Sequence, residues 1–258
     1  MAHVSWLTIA PVKGLALVEV DELVLGRRGV AENRRFYLVD EDGRRYGLLR
    51  DARLALVRQA YDPAREWLEL AFPDGSVVAG EVEADGEVTT DMHDREVTGR
   101  LVVGPWSEAL SDHVGRPLRL VQADAVGAGV DRDSEGSVSM LSEASLEELR
   151  RRAGREEPVD PRRFRMLIGI GGVRAHEEDD WLGLRVQVGE AVVLLHEQVA
   201  RCAITTQNPD TGERDFNTLR AIKAYRGARD VKNIDFGVYG EVDEPGRVRL
   251  GDPIDLLF

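Results

Sequence analysis

Short apolar runs alternate with turn signals along most of the chain, the pattern of strands rather than helices. "LVLGRRGVAENRRFYLVDEDGRRYG" predicts a strand, a glycine turn, a strand centred on Phe36, Tyr37, Leu38 and Val39, and a hairpin at Asp42-Gly43. Downstream, Leu68, Leu70 and Phe72 alternate with Glu69 and Ala71, giving one buried face. Turns are expected at Asp74-Gly75 and Asp85-Gly86, and such regular short strands point to a barrel or sandwich.

Helical spacing occurs in three places. Trp106, Ala109, Leu110 and Val114 share a face, with Gly115 set to end that helix. Ser142 is a natural N-cap for "EASLEELRRR", whose acidic start and basic end suit the helix dipole. Asn217 caps "TLRAIKAYR", where Leu219, Ile222 and Tyr225 form the buried side. The Gly- and Asp-rich stretch 122–136, poor in large apolar residues, reads as a linker or loop between two β-rich halves.

The 258 residues carry 43% hydrophobic and 31% charged side chains, ordinary for a globular protein with a real core. No apolar run approaches the roughly 20 residues of a membrane span. The start "MAHVSWLTIAPVKG" lacks the pattern of a secretory signal. A formal net charge of −13 argues against nucleic-acid or anionic-membrane partners. The single cysteine, Cys202, excludes an intrachain disulfide and fits a reducing compartment. A cytoplasmic protein is therefore expected. One cysteine also rules out an iron–sulfur cluster held by this chain alone.

Cys202 reads equally as a small hydrophobe in the core or as a reactive thiol, since catalysis needs a cation or metal beside it. Arg201 is adjacent, but neighbours on a strand point to opposite faces. Basic residues cluster at Lys13, at Arg34-Arg35, at Arg50 with Arg53, and at Arg162-Arg163 with Arg165. Each fits a solvated ion pair; together they fit a phosphate pocket. "IGIGGV" lacks the spacing of a dinucleotide loop, and no P-loop or nucleophile elbow is present. Asp91, His93 and Asp94 lie close together without a second ligand cluster, while His176 and His196 are isolated.

Several motifs occur together in one order: "APVKG", "NRRFYLVD", "SMLSEASLEEL", "DPRRFRMLIGIGG", "ARCAITTQNPDTGE", "NIDFGVYGEV" and "VRLGDPIDLL". In these the chain resembles the MOSC (molybdenum cofactor sulfurase C-terminal) domain proteins, and most of all the two-part kind typified by the amidoxime-reducing components. The resemblance implies a mostly β (α+β) fold. It would comprise an N-terminal β-rich domain over 1–121 and a MOSC β-barrel with a few helices over 122–258, the cofactor lying in the cleft between them.

It also implies a molybdenum cofactor, molybdenum on a molybdopterin dithiolene, with Cys202 as the protein's catalytic sulfur ligand to the metal. Lys13, Arg35 and Arg165 match the family's anchors for the pterin, and Gly14 takes the place of the small polar residue that follows the lysine at the cofactor. Glu135, Gly136 and Ser137 match its contacts ahead of the Ser142 helix, Ala200 and Arg201 flank the ligand, and Tyr239 matches a tyrosine near the metal. Pyridoxal phosphate is not expected. Met166 and Leu167 stand where close relatives carry proline and asparagine, and Ala200 replaces a serine.

The activity so implied is reduction of small N-hydroxylated compounds, amidoximes or hydroxylamines, with electrons from a separate flavin or iron–sulfur protein. Two alternatives remain open: a sulfur carrier bearing a persulfide on Cys202, and a non-catalytic cofactor carrier.

Overall fold

The computed structural model describes residues 1–92, 95–125 and 136–257. The chain is mostly β, with three α-helices among the described residues. Its largest sheet has eight strands in the order 254–257, 185–188, 191–200, 235–244, 138–142, 168–171, 3–9 and 18–19.

That sheet curls until strand His3–Ile9 meets the start of the last strand. Val4 N donates to Asp252 O at 2.9 Å, Gly251 N to Val4 O at 2.8 Å, and Ile254 N to Ala2 O at 3.1 Å. A closed barrel leaves no free edge between these strands. The first strand of the chain thus completes a barrel whose other strands, the short Val18–Glu19 apart, come from residues 138–257. Val4, Leu7, Met140, Ile168, Ile170, Val186, Val193, Leu195 and Val238 fill its core.

The first glycine of "IGIGG" serves this packing. A Cβ on Gly169 would run into the Trp6 ring, so only hydrogen fits beneath that side chain. Strand Val138–Ser142 runs parallel to Ile168–Gly171, and the crossover between them is helix α2 (Glu143–Arg152). Ser142 caps α2 by accepting from Ser145 N at 3.1 Å.

The second body combines a five-stranded sheet (45–46, 36–40, 118–123, 96–103, 83–91) with a three-stranded one (58–62, 67–71, 77–81). Helix α1 (Trp106–Val114) packs between them and ends at left-handed Gly115. Leu68 and Leu70 are fully buried and Phe72 nearly so, as their alternation predicts. Asp85-Gly86 is not a turn, however. It lies inside the continuous strand Glu83–Asp91, where Asp85 pairs with Leu101 and Glu87 with Arg100. Gly86, at φ +73°, is the extra residue of a β-bulge, which needs the same backbone freedom as a turn.

Helix α3 (Thr218–Arg226) starts at Asn217, whose side chain accepts from Arg220 N. Ile222 is fully buried, while Leu219 and Tyr225 are only half so. Strand Leu118–Ala123 carries two residues of the expected linker. No helix among the described residues is long and apolar enough to cross a membrane.

Candidate functional site

Residues 10–16 leave the barrel strand and run to the second body. They are pinned there by hydrogen bonds to their backbone: Lys13 N donates to Phe36 O at 2.8 Å, and the Gln59 side-chain Oε1 accepts from Val12 N at 2.6 Å. Arg34 N donates to Ala10 O at 2.8 Å, and Arg165 Nη2 reaches Leu15 O at 2.7 Å. These contacts bring residues remote in sequence to one cleft of 480 Å³. Lys13, Gly14, Arg34, Arg165, Ala200, Arg201, Cys202 and Tyr239 all line it.

Cys202 follows the long strand Ala191–Ala200 and precedes a 3-10 turn at Ala203–Thr206. It is exposed at the cleft, so the core reading of this cysteine does not hold. Thr205 holds the turn in place. Its N–H and hydroxyl donate to Cys202 O at 3.2 and 3.1 Å, and its Oγ1 lies 2.6 Å from Thr218 Oγ1 at the start of α3.

Arg201 turns inward. Nε donates to Phe236 O at 2.7 Å, Nη1 to Phe164 O at 2.9 Å, and Nη2 contacts Phe236 O and, at 2.8 Å, Met166 Sδ. The guanidinium also lies 5.3 Å above the Phe164 ring. Met166 therefore packs against the cation beside the thiol. Leu167 belongs to the barrel core.

The basic side chains shift one another. Burial, then the charges of Arg34, Arg45 and Arg165, push Lys13 well below its ordinary value, with Cys202 acting the other way. Burial lowers Arg34, Arg165 and Arg201 in the same sense, reinforced at Arg165 by Arg34. Arg34 and Arg165 both have φ of +54°, uncommon outside glycine, and Gly14 has φ of +94°. Backbone strain of about 1 kcal/mol at each arginine is held where the cations converge. No aspartate or glutamate lines the cleft among the described residues. Such a set of cations around a soft sulfur suits a multiply charged anion carrying a thiophilic metal.

The arginine of the aromatic motif needs a correction. Arg35 does not line the cleft: its Nη1 donates to the carbonyl of Ala123, and Arg34 takes the inward place. Adjacent residues entering strand Phe36–Asp40 face opposite ways, so a one-residue register decides which guanidinium the cleft receives. Gly136 and Ser137 lie just ahead of strand Val138–Ser142 and are not on the cleft wall. Ser137 Oγ is buried without a hydrogen-bond partner. Glu135 lies outside the described residues, as do His93 and Asp94 of the "DMHDRE" stretch. His176 packs against Phe236 and meets Tyr225 Oη at 3.2 Å, and burial pulls it down to about 4.

Arg50, named among the basic clusters, does line the cleft, whereas Arg45, the wall from Tyr46 to Leu49, and Thr205 were not singled out in the sequence. Only the Thr-Thr pair after Cys202 hinted at the last, through the habit of threonine hydroxyls to bond nearby backbone.

A pH dependence follows from Lys13. Its lowered value means that the unfolded chain holds this proton more tightly. The group's contribution to stability therefore rises with pH between the lowered value and that of an ordinary lysine. An anion in the cleft favours the charged amine, so anion binding takes up a proton and weakens as pH rises through that window. The thermal midpoint of cofactor-free protein is expected to rise with sulfate at neutral pH, and the gain to shrink toward pH ~10. A gain that grows with pH would contradict this electrostatic picture.

Comparison with known proteins bears on the family. The model of the MOSC domain matches residues 111–255 and that of the MOSC N-terminal beta barrel domain residues 1–117. Mitochondrial amidoxime-reducing component 1 of Mus musculus is 28% identical over 98% of this chain and 82% of its own. The Xenopus laevis protein of that name is 27% identical over 97% and 81%. Human molybdenum cofactor sulfurase is 22% identical, over 92% of this chain but only 29% of its own. With both domain models spanning nearly the whole length, and the barrel and its companion body each built as described, the chain belongs to the MOSC domain family, with a MOSC N-terminal beta barrel domain ahead.

Proposed function

We propose that this protein is a molybdenum-cofactor-dependent oxidoreductase that reduces N-hydroxylated compounds. The observation that carries the reading is the convergence of Lys13, Arg34, Arg165 and Arg201 on the cleft that also exposes Cys202. Lys13, Arg34 and Arg165 would hold the phosphate and pterin edges, and Cys202 Sγ would ligate the metal. Coordination itself keeps a thiol deprotonated. When bound, molybdenum supplies a two-electron centre able to accept oxygen from an N–O bond.

This chain's own residues do the positioning. Thr205 and Thr218 fix the Cys202 carbonyl, and Arg201 ties the same segment to Phe164 and Phe236. The deep cations disfavour release of the anionic cofactor. The net reaction converts N–OH to N–H plus water at the cost of two electrons and two protons. A separate flavin or iron–sulfur protein delivers the electrons, because one cysteine cannot hold a cluster.

The division into 1–121 and 122–258 stands as part of this proposal, with the first strand lent to the barrel. Cofactor-loaded protein supplied with a reductant should reduce benzamidoxime to benzamidine, followed by chromatography of the product. Tight cofactor retention without turnover, across several donors, would sink the oxidoreductase reading and leave a carrier.

The exposure of Cys202 also meets the need of a sulfur carrier. Protein-bound sulfane sulfur on Cys202, with no metal, would establish that second reading.

A further inference from the structure

Of the residues lining the cleft, three are exposed: Leu49, Arg50 and Cys202. With Cys202 facing the cofactor, Leu49 and Arg50 are the side chains that an incoming molecule meets first. Both sit on the turn 47–50, which is held firmly. Arg50 N and Asp51 N donate to Gly47 O at 2.8 and 3.1 Å. Gln207 Nε2, from the segment after Cys202, donates to Leu48 O at 2.9 Å. A Cβ on Gly14 would make ordinary contact with Gly47 Cα at 3.8 Å, so the two backbones run close together. Arg50 pairs with Asp40 at 2.7 Å and lies 5.6 Å above the Tyr46 ring.

An exposed leucine is unremarkable on an ordinary surface. Leu49, 55% exposed, instead lines a concave site, where apolar area is used for binding. With Lys13, Arg34 and Arg165 assigned to the anionic cofactor, the charge that an incoming molecule meets beside it is Arg50, and no aspartate or glutamate lines the cleft among the described residues. Asp40 offsets part of the Arg50 charge yet does not face the cleft. A concave surface lined by one sign of charge draws in the opposite sign and turns away its own.

We propose that the 47–50 turn is the substrate-facing wall. Leu49 contacts the apolar body of the substrate and Arg50 filters its charge, so that neutral or anionic N-hydroxylated compounds are taken and cationic ones refused. This rests on the oxidoreductase reading above and names the substrate class of that site.

The test compares three benzamidoximes on cofactor-loaded protein: unsubstituted, para-carboxylate and para-trimethylammonium. At low ionic strength KM for the cationic probe should exceed that for the carboxylate by about 10-fold or more, and 0.5 M salt should narrow the gap. Arg50→Gln should shrink that ratio at least about 3-fold. Leu49→Asp should raise KM for the unsubstituted probe about 10-fold with kcat within about 2-fold, the loss expected for apolar contact.

Equilibrium titration with benzoate and benzyltrimethylammonium, which are not turned over, gives an independent readout of the same preference. Equal KM for all three reduced probes, with equal binding of the two inert ions, overturns the wall while the oxidoreductase reading stands. If no probe is reduced, the oxidoreductase reading falls, and equal binding of the two ions would then remove the charge filter as well.

Discussion

Replacing Cys202 by alanine is expected to lower turnover of an N-hydroxylated substrate by about 1,000-fold or more, the scale seen when a group essential to the chemistry is removed. The same change should leave the fold alone. Cys202 is exposed and its side chain makes no cap hydrogen bond to the turn that follows. Surface substitutions of this kind stay within about 0.5 kcal/mol. The two readouts must therefore separate: urea midpoints of cofactor-free wild type and Cys202→Ala should coincide while activity disappears. Wild-type-like turnover in the variant would remove the sulfur from the mechanism. A matching loss of stability would instead return it to a packing role.

Arg201→Ala should behave in the opposite way, unfolding the site before any chemistry is tested. Its guanidinium satisfies the carbonyls of Phe236 and Phe164, touches Met166 Sδ and covers the Phe164 ring. Truncation strands those acceptors beneath the cleft, and hydrogen bonds to a charged donor contribute about 1.5–3 kcal/mol each. A total cost of about 3–5 kcal/mol is expected in chemical denaturation of cofactor-free protein. Arg201→Lys should recover only part of it, because an ammonium lacks the planar fork that reaches two carbonyls at once. Gly237 makes the fit tight, since a Cβ there would come within 3.2 Å of Arg201 Nη2. Near-native stability of Arg201→Ala would mean that the residue serves the ligand alone.

Much of the fold was legible in residue order because its signals are local. The buried run from Phe36 to Val39, the alternation around Leu68 and Leu70, and the caps at Ser142 and Asn217 each depend on a few neighbours. Asp85-Gly86 misled because a bulge and a turn ask the same left-handed freedom of glycine, and only the partner strand tells them apart. Closure of the barrel by His3–Ile9 was hidden for a different reason. It depends on pairing with residues nearly the whole chain away, which no periodicity encodes.

The candidate site divides the same way. Cys202, Lys13 and Arg165 were found through motifs, and the cleft collects all three. Arg34 and Arg35 differ by one place in sequence and by which side of a strand entry they face, so a motif match could not choose between them. In the Tyr46–Arg50 wall only Arg50 gave a signal, as one of the basic clusters. The wall reaches the thiol only through long-range contacts such as Gln207 with Leu48, across 159 positions.

The most direct test is the molybdenum and pterin content of protein purified from a host that makes the cofactor, measured by elemental analysis and pterin fluorescence beside Cys202→Ala and a Lys13→Ala/Arg165→Ala double variant. Wild type should carry close to one of each per chain. Cys202→Ala should lose metal first, and the double variant should lose metal and pterin together. Wild-type protein free of both, from a host in which a known molybdenum enzyme is fully loaded, would contradict the assignment of this cleft.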